Sequence, residues 1–99
     1  MRTHHLSFSF AARRPVAGRA HVGVVASGDL EVLLEPAADG CAQVIVETSV
    51  GGFDDLWHSV LNRFFSQYDG QVRLEIHDSG ANPGTVMLRL RQAAEVADR

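Results

Sequence analysis

One apolar stripe with helical spacing, set among segments that alternate every second residue, limits the chain to a few folds. Phe53, Leu56, Trp57, Val60, Leu61, Phe64, Phe65 and Tyr68 recur at steps of three and four. That spacing predicts a helix of about four turns with one face to bury. Asp54 and Asp55 stand where the positive end of the helix dipole favours carboxylates, and Asp69-Gly70 offers a stop. Around it lie strand patterns with period two. Leu6, Phe8 and Phe10 alternate with serines. Arg19–Ala26 is valine-rich, Leu30–Glu35 alternates, and Ala42–Val50 is dense in valine, isoleucine and threonine. Val72, Leu74 and Ile76 alternate with Arg73, Glu75 and His77, and Val86, Leu88 and Leu90 alternate with Met87, Arg89 and Arg91. The expected architecture is α+β: a mainly antiparallel sheet with one long amphipathic helix on one face. The last two segments are expected to pair as a hairpin around the turn-rich stretch Asp78–Gly84. The tail from Gln92 is expected to form a short helix or to fray.

Between the second and third strands lie Ser27, Gly28 and Asp29, short residues suited to a tight reversal. They place Ser27 at or beside a hairpin tip. Ala26 and Gly28 leave its hydroxyl uncrowded. Asp29 has two readings of equal standing: it orients or deprotonates that hydroxyl, or it makes an Asx-type turn bond.

Composition narrows the function. The chain has 99 residues, 45% hydrophobic and 21% charged, enough for one small core. A formal charge of −3 gives no broad basic face for nucleic acid, and Arg13-Arg14 is only a local spot. No run approaches a membrane span or a signal peptide, and the single Cys41 allows no internal disulfide. The expectation is a cytoplasmic protein that binds neither nucleic acid nor membrane. The five histidines lack metal-ligand spacing, so no metal is expected. Ser27, His77 and Asp78 resemble a triad in composition only, because no nucleophile elbow surrounds the serine. Arg89 and Arg91 are expected on a solvated strand face, with an acidic partner or phosphates as the rarer alternative.

Two stretches carry a family pattern: Val25–Pro36, which contains Ser27-Gly28-Asp29, and Ile76–Gly84. Both resemble the acyl carrier (delta) subunit of malonate decarboxylase, as do their separation, the total length and Thr48-Ser49-Val50. The resemblance runs from Phe8 to about Ala94. It is weaker to the citrate lyase carrier, from which Gly28 and Pro83-Gly84 set this chain apart. Ser79 and Asn82 depart from the family's usual aromatic and threonine. The resemblance implies that residues 1–99 form a single acyl carrier domain that is not a helical-bundle carrier. It implies a 2'-(5''-phosphoribosyl)-3'-dephospho-CoA arm joined to Ser27 by a phosphodiester, with Gly28 and Asp29 flanking. It further implies a carrier without catalysis of its own. Its partners are then an acetyl-S-carrier:malonate carrier transferase subunit, malonyl-S-carrier decarboxylase subunits and a holo-carrier synthase. His77, Asp78, Gly80, Pro83 and Gly84 form a candidate partner-facing loop, in which Asp78 caps turn amides while Gly80 and Gly84 take positive φ. An α/β interaction domain with no prosthetic group is the reading from another class.

Overall fold

The computed structural model describes residues 3–99. Five strands form one sheet: β1 (His4–Ala11), β2 (Ala20–Gly23), β3 (Asp29–Pro36), β4 (Cys41–Thr48) and β5 (Val72–Ser79). Two helices complete the fold, α1 (Asp54–Phe65) and α2 (Pro83–Ala97). The strand order is β1-β4-β5-β3-β2. All neighbours are antiparallel except β4 and β5, which run parallel and are joined through α1. The α+β class and the mainly antiparallel sheet agree with the alternation of the chain.

Alternation places one residue set on each face of the sheet. Val32 and Leu34 of β3 lie level with Ile76 and Leu74 of β5, Leu30 lies level with Asp78, and Val44 and Val46 of β4 continue the same layer. These residues are fully buried or nearly so. α1 packs beside β1 and α2, and α2 covers β2 and β3. Trp57, Leu61 and Phe64 are the buried part of the α1 stripe. At its amino end Phe53 and Leu56 are exposed.

The second helix corrects the expectation of one helix and a closing hairpin. Val86–Leu90 is helical, and Gln92–Ala97 extends the same helix. Its buried residues are Val86, Leu90, Ala93, Ala94 and Ala97, a helical spacing, while Leu88 is exposed. Five alternating residues fit either period, so that segment was ambiguous by itself. Two local signals decide it: Asn82 Oδ1 accepts the Thr85 N–H at 2.8 Å, and Pro83 occupies the first turn. The sheet also leaves no room for the hairpin. β5 is central, with β3 on one edge and β4 on the other. β2 is shorter than the valine-rich segment suggests, and Val24 and Val25 stand exposed beyond it.

Candidate attachment site

The tip of the β2–β3 hairpin is a turn in which the Asp29 N–H donates to the Ala26 carbonyl at 2.9 Å. Gly28, its third residue, has φ +78°, a left-handed conformation that glycine adopts without a Cβ penalty. Ser27 is exposed. A side chain at Gly28 would meet nothing within 4 Å, so the space beside the serine is open. The surface beside the Ser27 hydroxyl has room for a bulky substituent. The tip is anchored from behind: the Gly28 N–H donates to the Ser79 carbonyl at 2.7 Å, and Asp29 bridges to Gly80.

The Asp29 carboxylate makes neither of the bonds expected of it. Its carboxylate accepts from Arg89 Nε at 3.1 Å and Nη2 at 2.7 Å, a two-pronged pair, and from its neighbour's Leu30 N–H at 2.7 Å. The Arg89 guanidinium, then the Leu30 N–H, hold the Asp29 carboxyl below its ordinary range. Asp29 in turn raises the pKa of Arg89. A carboxylate held this way is a poor base, and it serves to lock the start of β3 to α2. The pairing of Arg89 with Asp29 is what sequence reasoning missed. The expected strand would have given Arg89 a solvated face, whereas the helix carries it to a partner 60 positions away. Arg91, its expected companion, is exposed.

The residues of the second motif divide between separate environments. Asp78 is buried on the helix-covered face. It accepts from Thr48 Oγ1 at 2.7 Å, the Gly80 N–H at 3.2 Å and the Ala81 N–H at 3.0 Å. Gly80 has φ +81°, as its turn position requires. Gly84 does not share that conformation: it lies inside α2 beside Pro83, which makes a positive φ unnecessary. His77 points to the other face. Its Nδ1 lies 2.8 Å from Glu31 Oε1, and His21 Nε2 lies 2.7 Å from Glu31 Oε2. The two imidazoles, His77 foremost, lower the pKa of Glu31. His77 and Asp78 thus bond on opposite faces, each to partners other than Ser27.

Beside the Gly80–Asn82 loop, a cavity of about 300 Å³ opens between the amino ends of α1 and α2. Val50, Phe53, Leu56, Trp57, Ala81 and Val86 form most of its apolar wall. Among the described residues, no helix is long and apolar enough to cross a membrane, and no three His, Cys, Asp or Glu side chains cluster as metal ligands.

Fold and site together define a small α+β domain that presents one uncrowded serine at the tip of an anchored hairpin. The family described as malonate decarboxylase delta subunit (MdcD) matches residues 17–97, and this chain belongs to it. The malonate decarboxylase acyl carrier protein of Stutzerimonas stutzeri is 50% identical over 91 residues, covering 91% of this chain and 92% of its own. That of Pseudomonas savastanoi pv. phaseolicola is 51% identical over 94 residues, with the same coverage. A chain in the crystal structure of a Pseudomonas malonate decarboxylase hetero-tetramer in complex with malonate superposes with a TM-score of 0.89. It is 48% identical and covers 93% of this chain and 96% of its own length.

Proposed function

We propose that this chain is the acyl carrier subunit of a malonate decarboxylase, bearing acetyl and malonyl thioesters on a 2'-(5''-phosphoribosyl)-3'-dephospho-CoA arm linked to Ser27. The observation that carries this reading is Ser27 itself. Its hydroxyl stands exposed at an anchored tip, within the segment matched by the carrier family. When attached, the arm supplies a thiol that holds the acyl group as a thioester. The chain supplies position. The Gly28–Ser79 bond and the Asp29–Arg89 pair hold the tip on the sheet and α2, so the attachment point is rigid while the space around it is open. Tethering raises the local concentration of the acyl group at the partner sites to the millimolar scale. Donors that stabilise enolate charge during decarboxylation belong to those partners, and the carrier needs no catalytic base. The partners are the acetyl-S-carrier:malonate carrier transferase subunit, the malonyl-S-carrier decarboxylase subunits and the holo-carrier synthase. The relative found within a hetero-tetramer supports an assembled role.

The test is the intact mass of the chain after co-expression with a holo-carrier synthase, with peptide mapping. The expected result is a gain equal to the phosphoribosyl-dephospho-CoA group on the Ser27 peptide. An unmodified chain, beside a synthase active on another carrier, leaves the interaction-domain reading in its place.

A further inference from the structure

We propose that the cavity between α1 and the Gly80–Asn82 loop seats the thioester end of the chain's own arm, accepting the acetylated form and excluding the malonylated one. This rests on the attachment of the arm at Ser27.

The cavity and the attachment turn share one end of the sheet. Gly28 donates to Ser79, and the next residue, Gly80, lines the cavity mouth. The cavity floor is made by Thr48 and Asp78 at the ends of β4 and β5, and β3, which starts at the turn, is the other neighbour of β5. At about 5 Å per strand, the turn and the cavity floor are offset sideways by only about 10 Å. An arm containing a nucleotide, a further ribose and a pantetheine chain spans that distance readily. Surface composition points the same way. Phe53, Leu56 and Val50, which are 49%, 44% and 39% exposed, form an apolar rim. An apolar patch left open beside a modification point has a use.

The selection between acyl groups follows from charge. Among the described residues lining the cavity there is no lysine or arginine. Thr48 donates to Asp78 and Asn82 Oδ1 takes the Thr85 N–H, which leaves the neutral Asn82 amide N–H groups as the side-chain donors of the wall. A malonyl carboxylate seated here loses water without gaining a cationic side chain, a severe cost for a charge. It also meets the Asp78 carboxylate. The amino ends of α1 and α2 each carry about half a positive charge, which Asp54 and Asp55 in the first turn of α1 and Asp78 in the wall outweigh. Pro83 at the amino end of α2 has no N–H to offer. An acetyl thioester is neutral, and its methyl group gains from the apolar wall. The seat therefore shelters the acetyl form from water between cycles and leaves the malonyl form free for a partner.

Trp57, the only tryptophan, lines the cavity and reports on it directly. The experiment uses the full chain in its apo, acetyl-loaded and malonyl-loaded states, each verified by mass on the Ser27 peptide. Trp57 emission and its quenching by acrylamide are then compared. The expected result is a blue shift and reduced quenching in the acetyl form alone, with faster thioester cleavage by hydroxylamine in the malonyl form. Ala81→Leu, which fills the cavity, and Leu56→Ser, which alters only an exposed rim position, are expected to return the acetyl form to apo behaviour. Trp57 signals equal in the apo and acetyl states, with the arm verified, overturn the proposal. An equal shift in both acyl forms overturns the selection. Failure of the mass gain itself is a separate result, which overturns the attachment reading and this seat together.

Discussion

The two ends of the sheet are built on opposite plans. At the end away from Ser27, the Arg14 guanidinium donates to Asp69 at 2.8 Å and to both Asp98 oxygens at 3.2 Å, and it lies 5.1 Å from the centre of the Tyr68 ring. The Arg13 and Arg14 N–H groups both donate to the Asp69 carbonyl, and Gln71 Nε2 donates to the Arg13 carbonyl. Gly18 lies so close to the Ala97 carbonyl that a side chain there would collide with it. The crossing segment between β1 and β2 is thereby tied to the last turn of α2 and to the chain after α1. At the Ser27 end the ties are the Gly28–Ser79 bond, the Asp29–Gly80 bridge, the Asp29–Arg89 pair, the donors gathered by Asp78 and the Ser49 N–H on the Asp78 carbonyl. Between them lie an exposed serine, an apolar cavity and the exposed Val24 and Val25. The contrast is one of placement: at the far end the ties run through an arginine side chain between segments, whereas at the Ser27 end they lie behind the turn and leave the serine exposed. The Ser27 end is then open without loosening the sheet.

The sharpest break in the comparison is Ser27→Ala. It removes one exposed hydroxyl, so thermal melting is expected to match the parent, while loading by the synthase and malonate decarboxylation by the assembled complex are expected to vanish. Retained decarboxylation overturns the carrier reading. Thr48→Val tests whether the open end still depends on its buried anchor. It keeps the side-chain shape but leaves the buried Asp78 short of one donor, with an expected loss of about 1–3 kcal/mol in urea unfolding. Gly18→Ala tests the closed end. Its Cβ meets backbone that cannot rotate away, and overpacking of this kind costs about 1–3 kcal/mol. Gly28→Ala is its counterpart at the open end. No atom obstructs the new methyl group, so only the left-handed backbone is penalised, by about 1–2 kcal/mol. Equal stability of Gly28→Ala and the parent in the same urea experiment contradicts the positive φ of the tip.

The smallest expected effect is a pH dependence shared by the two ends. Asp29 is depressed by Arg89 and then by the Leu30 N–H, and Asp69 chiefly by Arg14. A depressed carboxyl stabilises the fold above the ordinary carboxylate range, and that contribution is lost as pH falls through its folded value. Melting temperature is therefore expected to fall less steeply on acidification in Asp29→Asn than in the parent. Asp69→Asn, more exposed, is expected to show a weaker flattening that added salt erases. An acid limb unchanged in Asp29→Asn contradicts the pairing with Arg89.

The parts of this molecule legible in its residues are those that neighbours in the chain decide. The hairpin tip follows from Ser27-Gly28-Asp29, because a glycine in third position supplies the positive φ of the turn. The strands β1, β3, β4 and β5 follow from alternation, and α1 from its apolar stripe. The short run Val86–Leu90 shows where this reading stops. Alternation alone does not distinguish strand from helix over five residues, and the deciding capping bond from Asn82 and the occupied edges of β5 lie outside that run. The Asp29–Arg89 pair was hidden for the same reason, since its form depends on α2 being a helix. The cavity, too, depends on the amino end of α1 meeting the Gly80–Asn82 loop.

From its residues alone, then, the chain states its turn, most of its strands, one helix and the serine it presents, because these depend on backbone preferences and side-chain periods a few residues long. The partners of β5, the engagement of Asp29 and the cavity beside the Ser27 end came from packing. Each depends on contacts between groups roughly 30 to 60 positions apart, and such contacts form only when the whole chain closes around one core.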